Sequence, residues 1–243
     1  MSWIVPAYHP TALLRDQTMA LATLSDMKKA VRIAHEGPTV VPKEWDGTSF
    51  PRWATHPTEP DVAGWLNEFQ DCTLCLDLET TYSGQIMCLG LWPIEYALEA
   101  QGICIPFFSK GMQKYWNPVD ELKVKGSLFH VLKRARVVGQ NIAGFDAPMM
   151  RKAWGLSIEP YGDTMIAHSL CMPELPHGLA FLSSVFTDLS PYKKEFGDSK
   201  AEKDDVDKWE RIQDSDDLEL RVYNLLDVFA TAVVWQALVE MMA

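Results

Sequence analysis

Three short apolar runs in close succession, followed by apolar stripes at helical spacing, constrain this chain more than any other feature. Residues 73–78, Thr-Leu-Cys-Leu-Asp-Leu, read as a buried strand, and residues 85–92 and 103–108 as the next two. The short connections between the early strands suit an antiparallel meander. The period then changes. Residues 118–134 read as a helix whose apolar stripe is Leu122, Leu128, Val131 and Leu132. A short strand follows at 136–139, a helix at 145–154 and a strand around Ile158. Helices are expected again at 164–171 and 178–187, and a long final helix at 216–242 buries Val222, Leu226, Phe229 and Val233.

Three antiparallel strands and then alternating helices and strands is the order of an α/β ribonuclease H-like fold. It implies a mixed five-stranded sheet flanked by helices, here spanning residues 61–243. Two pieces precede it. Residues 1–35 form a small appendage with Met19, Leu21, Leu24, Met27, Ala30 and Val31 at helical spacing. Residues 36–60 carry Pro38, Pro42, Pro51, Pro57 and Pro60 with little periodicity and read as an extended linker. The acidic stretch 190–215 reads as an excursion from the domain.

Composition narrows the function classes. An apolar fraction of 47% and nine tryptophans fit a globular chain of 243 residues. No apolar run reads as a bilayer span and no leader is apparent, so the cytoplasm is expected and a membrane partner is not. Five cysteines in a chain this size do not suggest a disulfide framework. Cys72 and Cys75 invite a zinc reading, but their spacing on a strand sends them to opposite faces. A net charge of −11 disfavours a broad grip on duplex DNA, and leaves room for an enzyme that holds a few nucleotides of one end. The charge is uneven. Residues 198–220 hold ten acids against four bases, and residues 101–152 hold nine bases against three acids. That basic middle is either a face for a phosphate backbone or ordinary solvated helix surface.

Three acidic motifs carry the chemistry. Asp77 and Glu79 lie two apart at the end of the first strand, so their carboxylates share a face. They repel unless a cation lies between them, which makes a shared divalent metal the natural partner. Asp146 ends the run Asn141-Ile142-Ala143-Gly144-Phe145-Asp146 after a short strand, in the first turn of the next helix. On its own it would read as a charge favoured by the helix dipole. Tyr223 and Asp227 lie four apart on the final helix and share a face.

The ordered set D-x-E, N-x(3)-F-D and Y-x(3)-D resembles the DEDD exonuclease superfamily, and specifically its tyrosine branch. Val222 stands where the histidine branch would carry its histidine. The likeness extends over residues 70–240. It is closest to the proofreading exonuclease of family A DNA polymerases in its phage form, through Asp163-Thr164-Met165, the stretch from Pro173 to Leu182, and Tyr192-Lys193-Lys194. His177 departs from that pattern, which often has lysine there. The resemblance implies two Mg²⁺ or Mn²⁺ ions held by Asp77, Glu79, Asp146 and Asp227. Two metals about 3.5–4 Å apart stabilise both the attacking and the leaving oxygen of an in-line phosphoryl displacement. Tyr223 is assigned to orienting the attacking water, because a phenol with a pKa of about 10 is a poor base at neutral pH. Thr80 and Asn141 are expected to touch the terminal nucleotide, with Phe145 packing beside them. Asp163 is not expected to be a ligand.

Residues 5–15 resemble the H-P-S loop of uracil-DNA glycosylases, and Asp26 to Ala30 the helix after it. The upstream half of such an enzyme is missing, so no glycosylase activity is expected. The segment reads as a loosely packed arm, with a gene-fusion remnant or a partner dock as alternatives. The leading expectation is an exonuclease on the 3′ end of single-stranded DNA, acting in proofreading or repair. Any polymerase partner would be a separate chain, and the location would be the host cytoplasm if the gene is a phage's. The same chemistry on RNA, or a non-catalytic nucleic-acid-binding module, are the other readings.

Overall fold

The computed structural model describes residues 20–37, 53–97, 102–189 and 217–243. The glycosylase-like loop at 5–15, most of the linker, Tyr192-Lys193-Lys194 and the acidic excursion lie outside the described residues. In chain order the elements are α1 (Ala20–Glu36), α2 (Glu59–Phe69), β1 (Thr73–Thr80), β2 (Ile86–Pro93), β3 (Ile103–Pro106), β4 (Phe108–Ser109) and β5 (Gln113–Lys114). Then follow α3 (Pro118–Leu132), β6 (Arg136–Gly139), α4 (Asp146–Trp154), β7 (Pro160–Asp163), α5 (Thr164–Cys171), α6 (Leu179–Phe186) and α7 (Asp217–Met242).

The five-stranded sheet runs in the order β3-β2-β1-β6-β7. β1, β2 and β3 are antiparallel, and β6 and β7 lie parallel to β1. This is the expected ribonuclease H-like sheet, with β1 at its centre. The apolar character of β1 and β2 on both faces follows from that position, since helices cover each side. One face packs Leu74, Leu76 and Leu78 against Val62 and Leu66 of α2, Val124 and Leu128 of α3, and Met150 of α4. The other packs Cys75, Trp92 and Val138 against Leu225, Val228 and Ala232 of α7. α5 and α6 close on the distal half of α7 through Ala167, Leu182, Val234 and Leu238.

Several sequence expectations change in detail. α2 falls across the end of the expected linker. Thr58 caps it reciprocally with Asp61, and Pro60 sits in its first turn, where a missing N–H costs nothing. Residues 53–58 are also packed: Ala54 bridges to Ile103, and Trp53 meets Trp92 edge-on. On α3, Leu122 is 75% exposed and Val124 takes its place in the core. On α7 the fully buried stripe is Leu225, Val228, Ala230 and Ala232, while Val222, Leu226 and Val233 are only half-buried. The last strand is Pro160–Asp163 rather than around Ile158, which is instead a core residue after α4. α7 is, after all, long and apolar enough to cross a membrane by length and composition, and half of that stretch is buried inside this fold. Cys72 and Cys75 do part to opposite cores, and both are free thiols.

α1 is held more firmly than a loose arm. Its Lys29 ammonium donates to the carbonyls of Ser184 and Thr187 at the end of α6, and the Arg32 Nη2 donates to both oxygens of Asp188. Carbonyls at a helix C-terminus lack intrahelical partners, which is why a cation suits that place.

Candidate active site

β1 sets the geometry. Side chains alternate along a strand, so Cys75, Asp77 and Glu79 share the face that α7 covers. The apolar row on that face therefore ends in two carboxylates at the carboxyl end of β1. Gly90 and Cys88 of β2 lie opposite them. The pairing slips after Glu79, and the extra residue, Met87, joins Cys88 on the α7 side. α7 then brings Asp227 across. Carboxylate oxygens of Asp77, Glu79 and Asp227 lie within 4.8 Å of one another, with Glu79 8% and Asp227 5% exposed. Three such groups, largely out of water, repel strongly unless a cation is shared. An all-oxygen set of hard carboxylates fits a hard divalent cation.

Asp146 enters from another direction. It opens α4, is 2% exposed, and accepts a 2.9 Å hydrogen bond from the Leu78 N–H. That bond ties it to β1 between Asp77 and Glu79. Burial raises its carboxyl to about 7, and repulsion from Asp163 and Asp227 adds to the rise, while the Leu78 bond opposes it. The structure thus draws three of the four expected ligands into one cluster. It holds the fourth beside them as a group poised to lose its proton when positive charge arrives.

The remaining expected residues are near the four carboxylates in sequence and differ in exposure. Tyr223 is half-buried, one turn before Asp227 on α7. Thr80 is 1% exposed and its hydroxyl has no hydrogen-bond partner. Asn141 is exposed with φ of 56°, the left-handed conformation that asparagine tolerates better than most residues. Gly144 lies beside it, and a Cβ there would stand 2.5 Å from the Asn141 Oδ1. Phe145 is half-buried as the N-cap of α4, so the helix begins one residue later than expected. Asp163 accepts from the N–H groups of Asn141, Ala143, Met165 and Ile166. It therefore works as a scaffold between the Asn141 turn and α5.

Two features escaped the sequence. Asn224, fully buried, donates its amide N–H groups to the carboxylate and carbonyl of Asp77 at 2.9 and 3.2 Å. A lone glycine in an apolar strand signals close approach, and Gly90 is where Asn224 approaches. The basic middle is also divided by the fold. Arg136 pairs in register with Thr73, at the end of the sheet away from the carboxylates. Lys152 instead reaches Gly84, in the turn that follows β1.

A family comparison agrees with this geometry. A 3′-5′ exonuclease family matches residues 101–243, more than half of the chain and including Asp146, Tyr223 and Asp227. No curated protein sequence matches. Among solved structures, an apo-form nuclease is 17% identical with a TM-score of 0.47, covering 78% of this chain and 80% of its own. NrnC from Brucella melitensis is 18% identical with a TM-score of 0.49, covering 73% and 76%. RNase D from Escherichia coli, described as an exoribonuclease involved in structured RNA processing, is 15% identical with a TM-score of 0.42, covering 78% and 49%. Likeness at this level leaves the substrate of this chain untouched. The family match, with the sheet order and the carboxylates gathered at the end of β1, makes the chain a member of the 3′-5′ exonuclease family and a hydrolytic exonuclease.

Proposed function

We propose that the protein removes nucleotides one at a time from the 3′ end of single-stranded DNA, using two divalent cations, Mg²⁺ or Mn²⁺. The observation that carries this reading is the convergence of the Asp77, Glu79 and Asp227 oxygens within 4.8 Å, beside a buried Asp146. The cations supply the charge that stabilises the attacking and leaving oxygens of an in-line displacement at phosphorus. Asp77, Glu79, Asp146 and Asp227 fix where that charge sits. Tyr223 orients the attacking water by hydrogen bond. Asn141, which is exposed, holds the terminal nucleotide and Phe145 packs beside it, whereas the Thr80 side chain is too buried to touch it. Lys152, near the β1–β2 turn, suits a backbone phosphate of the incoming strand. Water adds to phosphorus, the bond to the 3′ oxygen breaks, and that oxygen leaves as the hydroxyl of the shortened strand.

The preference for DNA rests on the likeness of the three motifs to proofreading enzymes. The same likeness points to a separate DNA polymerase chain as partner and to a cytoplasmic setting, that of the host for a phage protein. The test is a 5′-labelled DNA oligonucleotide and its RNA counterpart, each incubated with protein and Mg²⁺ or Mn²⁺. A ladder shortening from the 3′ end of DNA, and much faster than that of RNA, is expected. Faster RNA shortening would move the reading to an exoribonuclease. Shortening of neither would leave a nucleic-acid-binding module.

A further inference from the structure

We propose that Asn224 is a positioning residue that fixes the Asp77 carboxylate for cation binding, with Gly90 as the cleared space that lets it do so. The inference rests on the metal-dependent reading of the site. The Asn224 amide nitrogen serves one residue: Nδ2 donates to Asp77 Oδ2 at 2.9 Å and to the Asp77 main-chain oxygen at 3.2 Å. A donor shared between a side chain and its own backbone closes a ring that locks the side-chain torsion. The donor is also neutral. A lysine or arginine there would hold Asp77 equally well but would cancel the charge that the cation needs.

The cost of this arrangement is visible. Asn224 is fully buried on α7, among Leu225, Val228 and the apolar face of β2, and its Oδ1 has no hydrogen-bond partner. A buried acceptor without a donor is destabilising, and a leucine, with the same heavy-atom branching and no polar atom, would avoid that penalty. Local packing therefore gives no reason for an amide at this position, whereas the two contacts with Asp77 do. Gly90 completes the device. It pairs with Asp77 across the β1–β2 ladder, and a Cβ on it would stand 2.4 Å from Asn224 Oδ1 and 2.9 Å from its Cγ. Any side chain at residue 90 would push the amide off Asp77, because a fully buried Asn224 has nowhere to turn.

The test is calorimetric titration of Mn²⁺ into the metal-free 243-residue protein, with thermal unfolding measured alongside. Asn224→Leu is expected to weaken Mn²⁺ binding ten- to a hundredfold, the usual effect of removing a group that orients a ligand. The affinity of the folded protein is the deciding readout, because leucine is bulkier than asparagine and overpacking by itself lowers the unfolding temperature. A merely structural Asn224 would lose stability and keep the affinity of whatever protein remains folded, and that result overturns the proposal. Should Asn224→Leu fail to fold, Gly90→Ala and the double variant Gly90→Ala/Asn224→Ala decide. The double variant is expected to recover the stability that Gly90→Ala loses, while Mn²⁺ affinity stays reduced in both. Wild-type affinity in the folded double variant refutes the role of Asn224. An absence of Mn²⁺ uptake by the wild-type protein is a different outcome, since it sinks the metal reading and this inference with it.

Discussion

Replacing Asp146 by asparagine should make the metal-free protein more stable at neutral pH while destroying its metal chemistry. Burial holds this carboxyl at about 7 against an ordinary value of 3.8. In the unfolded chain the group ionises near 4, and in the folded chain it keeps its proton to about 7. The folded state therefore binds more protons between those limits. The contribution to stability is fully present below about 4 and is lost as pH rises through 7. At about 1.4 kcal/mol per unit, roughly 3 kcal/mol disappears between pH 5 and pH 8. Asparagine keeps an oxygen for the Leu78 N–H and has no charge to bury. Urea unfolding with a chelator, from pH 5 to pH 8, should show wild type falling relative to Asp146→Asn by up to that amount. Mn²⁺ should then restore the wild type at pH 8, because the cation takes the place of the proton. Parallel stability curves for the two proteins across this range would refute the reasoning.

Other outcomes follow from the same geometry. Tyr223→Phe should lower kcat about a hundredfold by loosening the attacking water, with Mn²⁺ affinity unchanged in a calorimetric titration. Gly144→Ala places a Cβ against Asn141 Oδ1, but Asn141 is exposed and its amide can swing away; urea unfolding should shift by less than about 1 kcal/mol while KM for the oligonucleotide rises. Leu128→Ala should cost about 2–5 kcal/mol in urea unfolding, because Leu128 is fully buried between helix and sheet. Leu122→Ala, six residues earlier on the exposed side of α3, should stay within about 0.5 kcal/mol.

The sheet was legible because β1 and β2 are apolar on both faces, and only central strands covered by helices have that character. The strand-end position of Asp77 and Glu79 and the shared face of Tyr223 and Asp227 came directly from the periods of two and nearly four. α2 was obscured by its own proline. Pro57 and Pro60 look like linker punctuation until Thr58 and Asp61 are recognised as a reciprocal cap. Leu122 fits the stripe of α3 by spacing, yet the helix turns Val124 inward instead, and the direction a helix faces is set by its neighbours. Asn224 was hidden inside the spacer of its own motif. Its role depends on Gly90, more than a hundred residues away in sequence, and on which face of β2 meets α7. The packing of α1 on α6 depends on Asp188, a residue whose ionic partners no local pattern reveals.

The most direct test is a crystal of the 243-residue protein soaked in Mn²⁺ and measured at a wavelength where manganese scatters anomalously. A strong peak is expected between Asp77, Glu79 and Asp227, with a second near Asp146 once a 3′ nucleotide is present. Anomalous density elsewhere, or none here at a Mn²⁺ concentration that supports oligonucleotide shortening, would contradict it.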